Sequence, residues 1–262
     1  MKSRLMRGVA VLPIVFAGPA LAASPTYDWS GFYLGLNAGG DWTRSSETTS
    51  LPCTEIIHNT AVCDSTDPGN APLVSALGTG SFSGSHFSGG IGGGYNWQNG
   101  PVVYGVEFDA ESLPGTSKSA TGVASPYAEF TGGPISLSSS VDPSWLVTAR
   151  GRIGYAFNDL LVYGTGGLAV TRLSTNVTYS DGGFDTGTWT QSENKAGWAA
   201  GGGVEWALSK EWSVKAEYLF VKFGSVTASG AIVTPAYGYS NAISTSADLT
   251  VQIARAGINY KF

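Results

Sequence analysis

The sequence predicts an all-β chain, an eight-stranded antiparallel transmembrane β-barrel with four long extracellular loops and short periplasmic turns. Three observations predict it. Runs of period-two alternation recur eight times, with bulky apolar residues on one face and glycine or charge on the other. The connections between runs alternate long and short without exception. The composition is 13% charged and 12% aromatic with 37 glycines in 262 residues, whereas ordinary domains average about 25% charged and about 7% Gly.

The first run covers about Gly31 to Trp42, where Phe32, Leu34, Leu36, Ala38 and Trp42 oppose Gly35, Asn37, Gly39 and Asp41. The second, His86 to Trp97, sets Phe87, Ile91, Tyr95 and Trp97 against Ser88, Gly90, Gly92 and Gly94. The third, Val102 to Leu113, sets Tyr104, Val106, Phe108 and Ala110 against Gly105, Glu107, Asp109 and Glu111. The fourth, Ser144 to Phe157, sets Val147, Ala149, Ile153 and Tyr155 against Thr148, Arg150, Arg152 and Gly154. The fifth, Leu160 to Leu173, alternates poorly. The short turn before it places Leu160, Val162, Leu168 and Val170 toward lipid, although the pattern itself leaves that orientation open.

The sixth, Lys195 to Leu208, sets Trp198, Ala200, Val204 and Trp206 against Gly197, Gly201, Gly203 and Glu205. The seventh, Trp212 to Phe223, sets Val214, Ala216, Tyr218 and Phe220 against Lys215, Glu217 and Leu219. The eighth, Ala247 to Phe262, sets Ala256, Ile258, Tyr260 and Phe262 against Arg255, Gly257, Asn259 and Lys261.

Asn158-Asp159 is a two-residue turn, and Gln98–Pro101 and Ser209–Glu211 are short, while the four other connections are long and rich in Ser, Thr and Gly. Outer-membrane barrels combine long extracellular loops, short periplasmic turns and an even strand number. A strand of about 11 residues rising ~3.3 Å each and tilted about 45° spans roughly 25 Å, the height of the apolar band. Aromatics such as Trp42, Trp97, Tyr155, Trp206, Trp212 and Tyr260 cluster at run ends, where interfacial girdles require them.

The chain opens on a targeting segment. Lys2, Arg4 and Arg7 precede an apolar stretch, Gly8 to Ala23, which ends in Ala20-Leu21-Ala22. At 16 residues with two prolines it is short for a span, which needs about 20. The expected organisation is a cleaved signal peptide at 1–22 (cleavage after Ala22, with Ala23 the alternative), a short periplasmic lead at 23–30 and the barrel domain at 31–262. The segment holds three of the 14 basic residues and no acid, so the mature chain carries 11 basic against 19 acidic residues, a net charge of −8. That balance argues against nucleic-acid binding. Cys53 and Cys63 are the only cysteines and lie on an export route to an oxidising compartment, so a disulfide is expected. A metal site would want more ligands than the neighbouring His58 supplies, and no cofactor is expected.

Eight strands leave an interior just wide enough for side chains to fill. Its expected charges are Glu107, Asp109, Glu111, Glu205 and Glu217 against Arg150, Arg152, Lys215 and Arg255. They must pair, since an unpaired buried charge costs several kcal/mol. One reading is a polar plug that keeps the barrel closed; the other is a narrow charge-selective constriction.

Trp29-Ser30-Gly31-Phe32-Tyr33-Leu34-Gly35 at the start and Arg255-Ala256-Gly257-Ile258-Asn259-Tyr260-Lys261-Phe262 at the end, with Tyr163 to Ala169 and Ala216-Glu217-Tyr218 between, resemble the small outer-membrane, opacity-type porin-like family of Gram-negative bacteria, notably alphaproteobacteria. The resemblance spans the eight strands and none of the long loops. It implies an abundant envelope protein of the outer membrane with periplasmic termini and surface-exposed loops. Ile258, Tyr260 and Phe262 look like the signal read by the barrel-assembly machinery. Partners implied are outer-membrane lipid and lipopolysaccharide, that machinery, and a host or environmental ligand at the loops.

The family has no catalytic motif to carry over, and no catalytic residue is expected. Gly164 to Ala169 matches a dinucleotide-binding G-x-G-x-x-A string, but that fingerprint needs a helix after it, and strand is expected on both sides. A lipid-modifying enzyme would need a His–Ser pair, for which His86 with Ser85 or Ser88 is the available combination. The expected role is envelope-structural with surface interaction, the alternative a small-solute porin.

Overall fold

The structure is a computed structural model that describes residues 27–53, 62–63, 70–123, 134–181, 185–234 and 238–262. The expected signal peptide and its cleavage site lie outside the described residues, as does His58.

Eight strands form a ring: β1 (Gly31–Ser50), β2 (Gly80–Asn99), β3 (Val102–Ser112), β5 (Pro134–Phe157), β6 (Leu160–Ser180), β7 (Thr186–Ala207), β8 (Trp212–Phe223) and β10 (Tyr239–Lys261). Each pairs antiparallel with the next, and β1 pairs with β10 through Leu36↔Ile258 and Ala38↔Ala256, which closes the sheet. Closure matters because lipid offers no hydrogen-bond partner to a free edge.

Outward side chains in the ring are large and apolar, with Leu36 61%, Phe87 75%, Ile153 65% and Leu168 68% exposed. On β6, Val162, Leu168 and Val170 are exposed while Leu161 and Tyr163 are buried, so the orientation that the short turn suggested is the one adopted. β6 runs unbroken through Gly164–Ala169, with no helix following the glycines. Ring contacts at the strand ends include Trp97 stacked on Tyr104 and Trp212 edge-on to Tyr260.

Two strands lie beyond the expected eight. β4 (Thr116–Val123) follows β3 after Leu113-Pro114-Gly115, and β9 (Val226–Thr234) follows β8 after Gly224-Ser225. β4 pairs only with β5, and β9 pairs with β10 along its length but with β7 only at Thr186↔Val233. At the end with long loops β4 thus takes the place of β3 beside β5, and β9 that of β8 beside β10, so the stem has two arms, β4-β5-β6-β7 and β9-β10-β1-β2, of one ten-stranded sheet joined by the β7–β9 pairing. Much of what composition marked as loop is this stem.

The stem encloses an apolar core of the soluble type. Ile135, Leu137, Val177, Tyr179 and Trp189 come from β5 to β7, Ala228, Ile232 and Ile243 from β9 and β10. The helix α1 (Asn70–Gly78) closes it with Val74, Leu73 and Leu77. Lys118 Nζ donates to the Gly78 carbonyl at 3.1 Å and pairs with Glu47 Oε2 at 3.2 Å, a cation on the helix C-terminus, where the dipole favours it. The Cys53–Cys63 disulfide is formed, and Cys63 is buried in the same core.

Inward glycines make the narrow ring possible. A Cβ on Gly201 would sit 2.2 Å from the Tyr218 carbonyl oxygen, whereas one on the outward Gly166 would meet nothing nearer than 3.7 Å. Gly201→Val is therefore expected to abolish the compact, heat-modifiable band of folded barrel on an unboiled denaturing gel, and Gly166→Ala to keep it.

Candidate functional site

The interior of the ring is a stack of layers. At the turn end the lead itself forms the floor. Tyr27 and Trp29 are buried with Val103, Ala156, Leu161, Tyr163 and Ala207. The Trp29 amide donates to Gln98 Oε1 at 2.6 Å, and Tyr27 Oη donates to the Lys210 carbonyl at 3.2 Å. Burial, reinforced by Glu205, Glu211 and Asp28, pushes the Tyr27 phenol up to about 12, so it remains a donor at physiological pH.

Above the floor the structure places all nine expected lumen charges in one buried cluster. Strand pairing creates it. Glu107 faces Arg150, Glu205 faces Lys215, and Glu217 faces Arg255 in direct register. Arg150 reaches Glu107, Asp109 Oδ2 at 2.5 Å and Glu217 Oε1 at 3.1 Å. Arg255 joins Asp109 Oδ1 at 2.9 Å, Glu111 Oε2 at 3.0 Å and Glu217. Arg152 pairs with Glu205 Oε2 at 2.8 Å and lies over the Tyr163 ring at 4.0 Å. Lys215 Nζ stands 3.6 Å from Glu107 Oε2.

Residues outside the expected set complete it. Tyr33 Oη donates to Glu107 at 2.9 Å, Tyr163 Oη to Glu217 at 3.2 Å, Ser213 Oγ to Glu205 at 2.6 Å, Asn259 Nδ2 to Glu205 at 2.7 Å and Thr148 Oγ1 to Asp109 at 3.0 Å. Strand parity was the signal available, since Tyr33 and Tyr163 stand at inward positions of their strands.

The next layer is apolar. Leu146, Leu173, Leu219, Leu249, Val251 and Ile253 are at most 1% exposed. Ions passing the charged layer would have to cross it. On β1 the buried Asp41, Thr43 and Ser45 stand in register with Ile253, Val251 and Leu249, so this layer has one polar side, which Glu47 continues toward the stem core.

The other candidate does not assemble. Ser88 Oγ donates to Glu111 Oε1 at 3.2 Å, and Ser85 lies on the outward, exposed face. His86 instead faces the buried Asp41, with Nδ1 3.6 Å from Oδ2. Among the described residues no group of three or more His, Cys, Asp or Glu is arranged to hold a metal.

The sequence matches a known family. The family described as outer membrane protein beta-barrel domain matches residues 8–262. This chain belongs to it. The family member named 31 kDa outer-membrane immunogenic protein from Brucella melitensis is 32% identical over 94% of this chain and 89% of its own length. The 25 kDa outer-membrane immunogenic protein from Brucella abortus is 25% identical over 100% of this chain and 99% of its own length. Among solved structures, the outer membrane protein OprG from Pseudomonas aeruginosa superposes with a TM-score of 0.44 at 14% identity, covering 91% of this chain and 99% of OprG. Membership makes this an outer-membrane β-barrel protein of the alphaproteobacterial type.

Arg255 holds three carboxylates at once, and removing one partner of a buried pair leaves an uncompensated charge. Arg255→Ala should lower the unfolding free energy of the barrel in detergent by about 3–5 kcal/mol, read as a shift of the urea midpoint.

Proposed function

We propose that the protein is a sealed envelope barrel whose work is done at its outer end, and that its lumen does not conduct. The observation that carries this reading is the layered interior. A fully paired charge cluster lies between an aromatic floor and an apolar layer of six side chains at most 1% exposed. Paired charges in this setting hold the strands in register, as a plug.

The short-turn end is assigned to the periplasm, with both termini there, and the stem to the cell exterior, because short turns face the periplasm in such barrels. A capped, disulfide-tied stem then presents its loops outside, the usual place for binding function on a rigid scaffold. The relatives' names describe outer-membrane, immunogenic proteins, which accords with surface exposure of those relatives. Contact with a host or environmental ligand belongs to this end. Ile258, Tyr260 and Phe262 lie on the outward face beside Trp212, where the barrel-assembly machinery can read them before insertion.

Planar-bilayer recording tests the seal. Purified protein is expected to give silent membranes. Regular single-channel steps that change on Arg150→Gln would establish the small-solute porin instead. For the cap, Cys53→Ser should increase protease cleavage of the stem while leaving the heat-modifiable barrel band in place. Loss of that band would mean the cap is part of barrel folding.

A further inference from the structure

The outer face of the sheet changes chemistry abruptly where the apolar belt ends. On the β5–β7 side the belt closes with Trp145, Val147, Val170 and Trp198, all exposed. Two residues beyond Val170, on the same outward face, stands Arg172, exposed and with no carboxylate partner among the described residues. The same step recurs from Trp42 to Arg44 and from Phe220 to Lys222. Inside the barrel each of the four cations meets an acid. These three outward cations do not.

Beyond Arg172 the outward positions of β4 to β7 are Ser, Thr or Asn over long runs, broken on β5 by Pro134 and by Asp142, whose Oδ2 accepts from Ser140 Oγ at 3.0 Å. The runs extend from Ser117 to Thr121, Ser136 to Ser140, Ser174 to Ser180 and Thr186 to Asn194. The hydroxyls are held across strands: Ser119–Ser138 at 3.1 Å, Ser174–Ser192 at 2.8 Å and Thr190–Asn176 at 2.7 Å. Short side chains on a rigid sheet lose little freedom when a ligand docks.

We propose that this face is a binding site for the glycolipid of the cell's own outer leaflet. The acyl chains lie on the belt, an anionic phosphate sits at Arg172 and uncharged sugars run up the hydroxyl face. Continuity decides the occupant. An amphiphile whose tails pack on Val147, Val170 and Trp198 must carry its head past Arg172 and against the sheet above. A plain phospholipid would end at the cation. A polyanion would want further cations on the face, and a protein partner would want aromatic anchors along it; beyond Trp145 and Arg172 at its base, the described outward positions hold neither. The assignment rests on the stem facing the cell exterior.

The test uses the full mature barrel in phosphatidylcholine nanodiscs, checked by its heat-modifiable band and titrated with two probes. One is lipopolysaccharide carrying a neutral sugar chain, the other phosphorylated lipid A alone. Arg172→Gln should weaken both by about ten- to hundredfold, the worth of one charge-assisted hydrogen bond. The triple variant Thr178→Val, Thr188→Val, Thr190→Val should weaken lipopolysaccharide by about as much and leave lipid A unchanged. Thr227→Val, on β9 away from this face, should change neither. A triple variant that binds lipopolysaccharide like the wild type, or loses both probes equally, overturns the proposal. Orientation is read separately by Ser192→Cys on intact cells with an impermeant maleimide. Absent labelling sinks the exterior placement, and labelling with unchanged affinities sinks the glycolipid assignment alone.

Discussion

A sheet in lipid must satisfy its own backbone and turn its apolar side outward, and the rest of this structure answers to that constraint. The first demand is met by the β1–β10 pairing, which leaves no edge within the band. The second inverts the usual placement of residues, putting Leu36, Phe87 and Leu168 outside and Glu107, Arg150 and Arg255 within. Once eight strands close, the enclosed space is too narrow for two large side chains to meet at every level. Glycine at positions such as Gly201 and Gly167, where a Cβ would meet backbone at 2.2 and 2.1 Å, is the consequence.

The same narrowness explains why the charges form a network and not isolated pairs. Arg150 and Arg255 come from strands on different sides of the ring, yet both reach Asp109 and Glu217. Each guanidinium offers five donors in a fixed fork, so one arginine can satisfy acids from several strands and tie them together. Buried ion pairs are poor contributors to net stability when compared with good apolar packing. Their value here is register, because a slip of one residue would turn every one of these charges into lipid.

The lipid-embedded part was legible in the sequence for a simple reason: one face is uniformly greasy and the other is not. The nine lumen charges, the turns and the outward set on seven strands follow from that contrast. The stem was not legible, because its outward residues are Ser and Thr and its inward ones mix Leu, Val, Thr and Glu, a composition that reads as loop. The signal was a change of phase. On β10, Leu249, Val251 and Ile253 point inward while Ala256, Ile258 and Tyr260 point outward, so the apolar alternation shifts by one residue where the strand leaves lipid. β6 makes the same shift between Val170 and Leu173. Tyr33 and Tyr163 were missed for another reason: aromatic residues suggest lipid contact, and only strand parity places these two in the lumen.

β5 solves the problem differently. Apart from the inward Leu146 and Ala156, its apolar residues keep one parity, with Ile135, Leu137 and Val141 inward and Val147, Ala149 and Ile153 outward. The sides exchange because the register slips between Pro143 and Leu146. A bulge there adds one residue and turns the strand over, and proline suits the place because it donates no ladder hydrogen bond. Close by in the fold, Pro114-Gly115 ends β3 and releases β4, and Gly224-Ser225 does the same between β8 and β9. The chain therefore exchanges the faces of its sheet where its solvent changes from lipid to water. A wall greasy on the outside suits the first medium, and a wall around a greasy core suits the second. The break between them follows from the two solvents demanding opposite faces of the same strands.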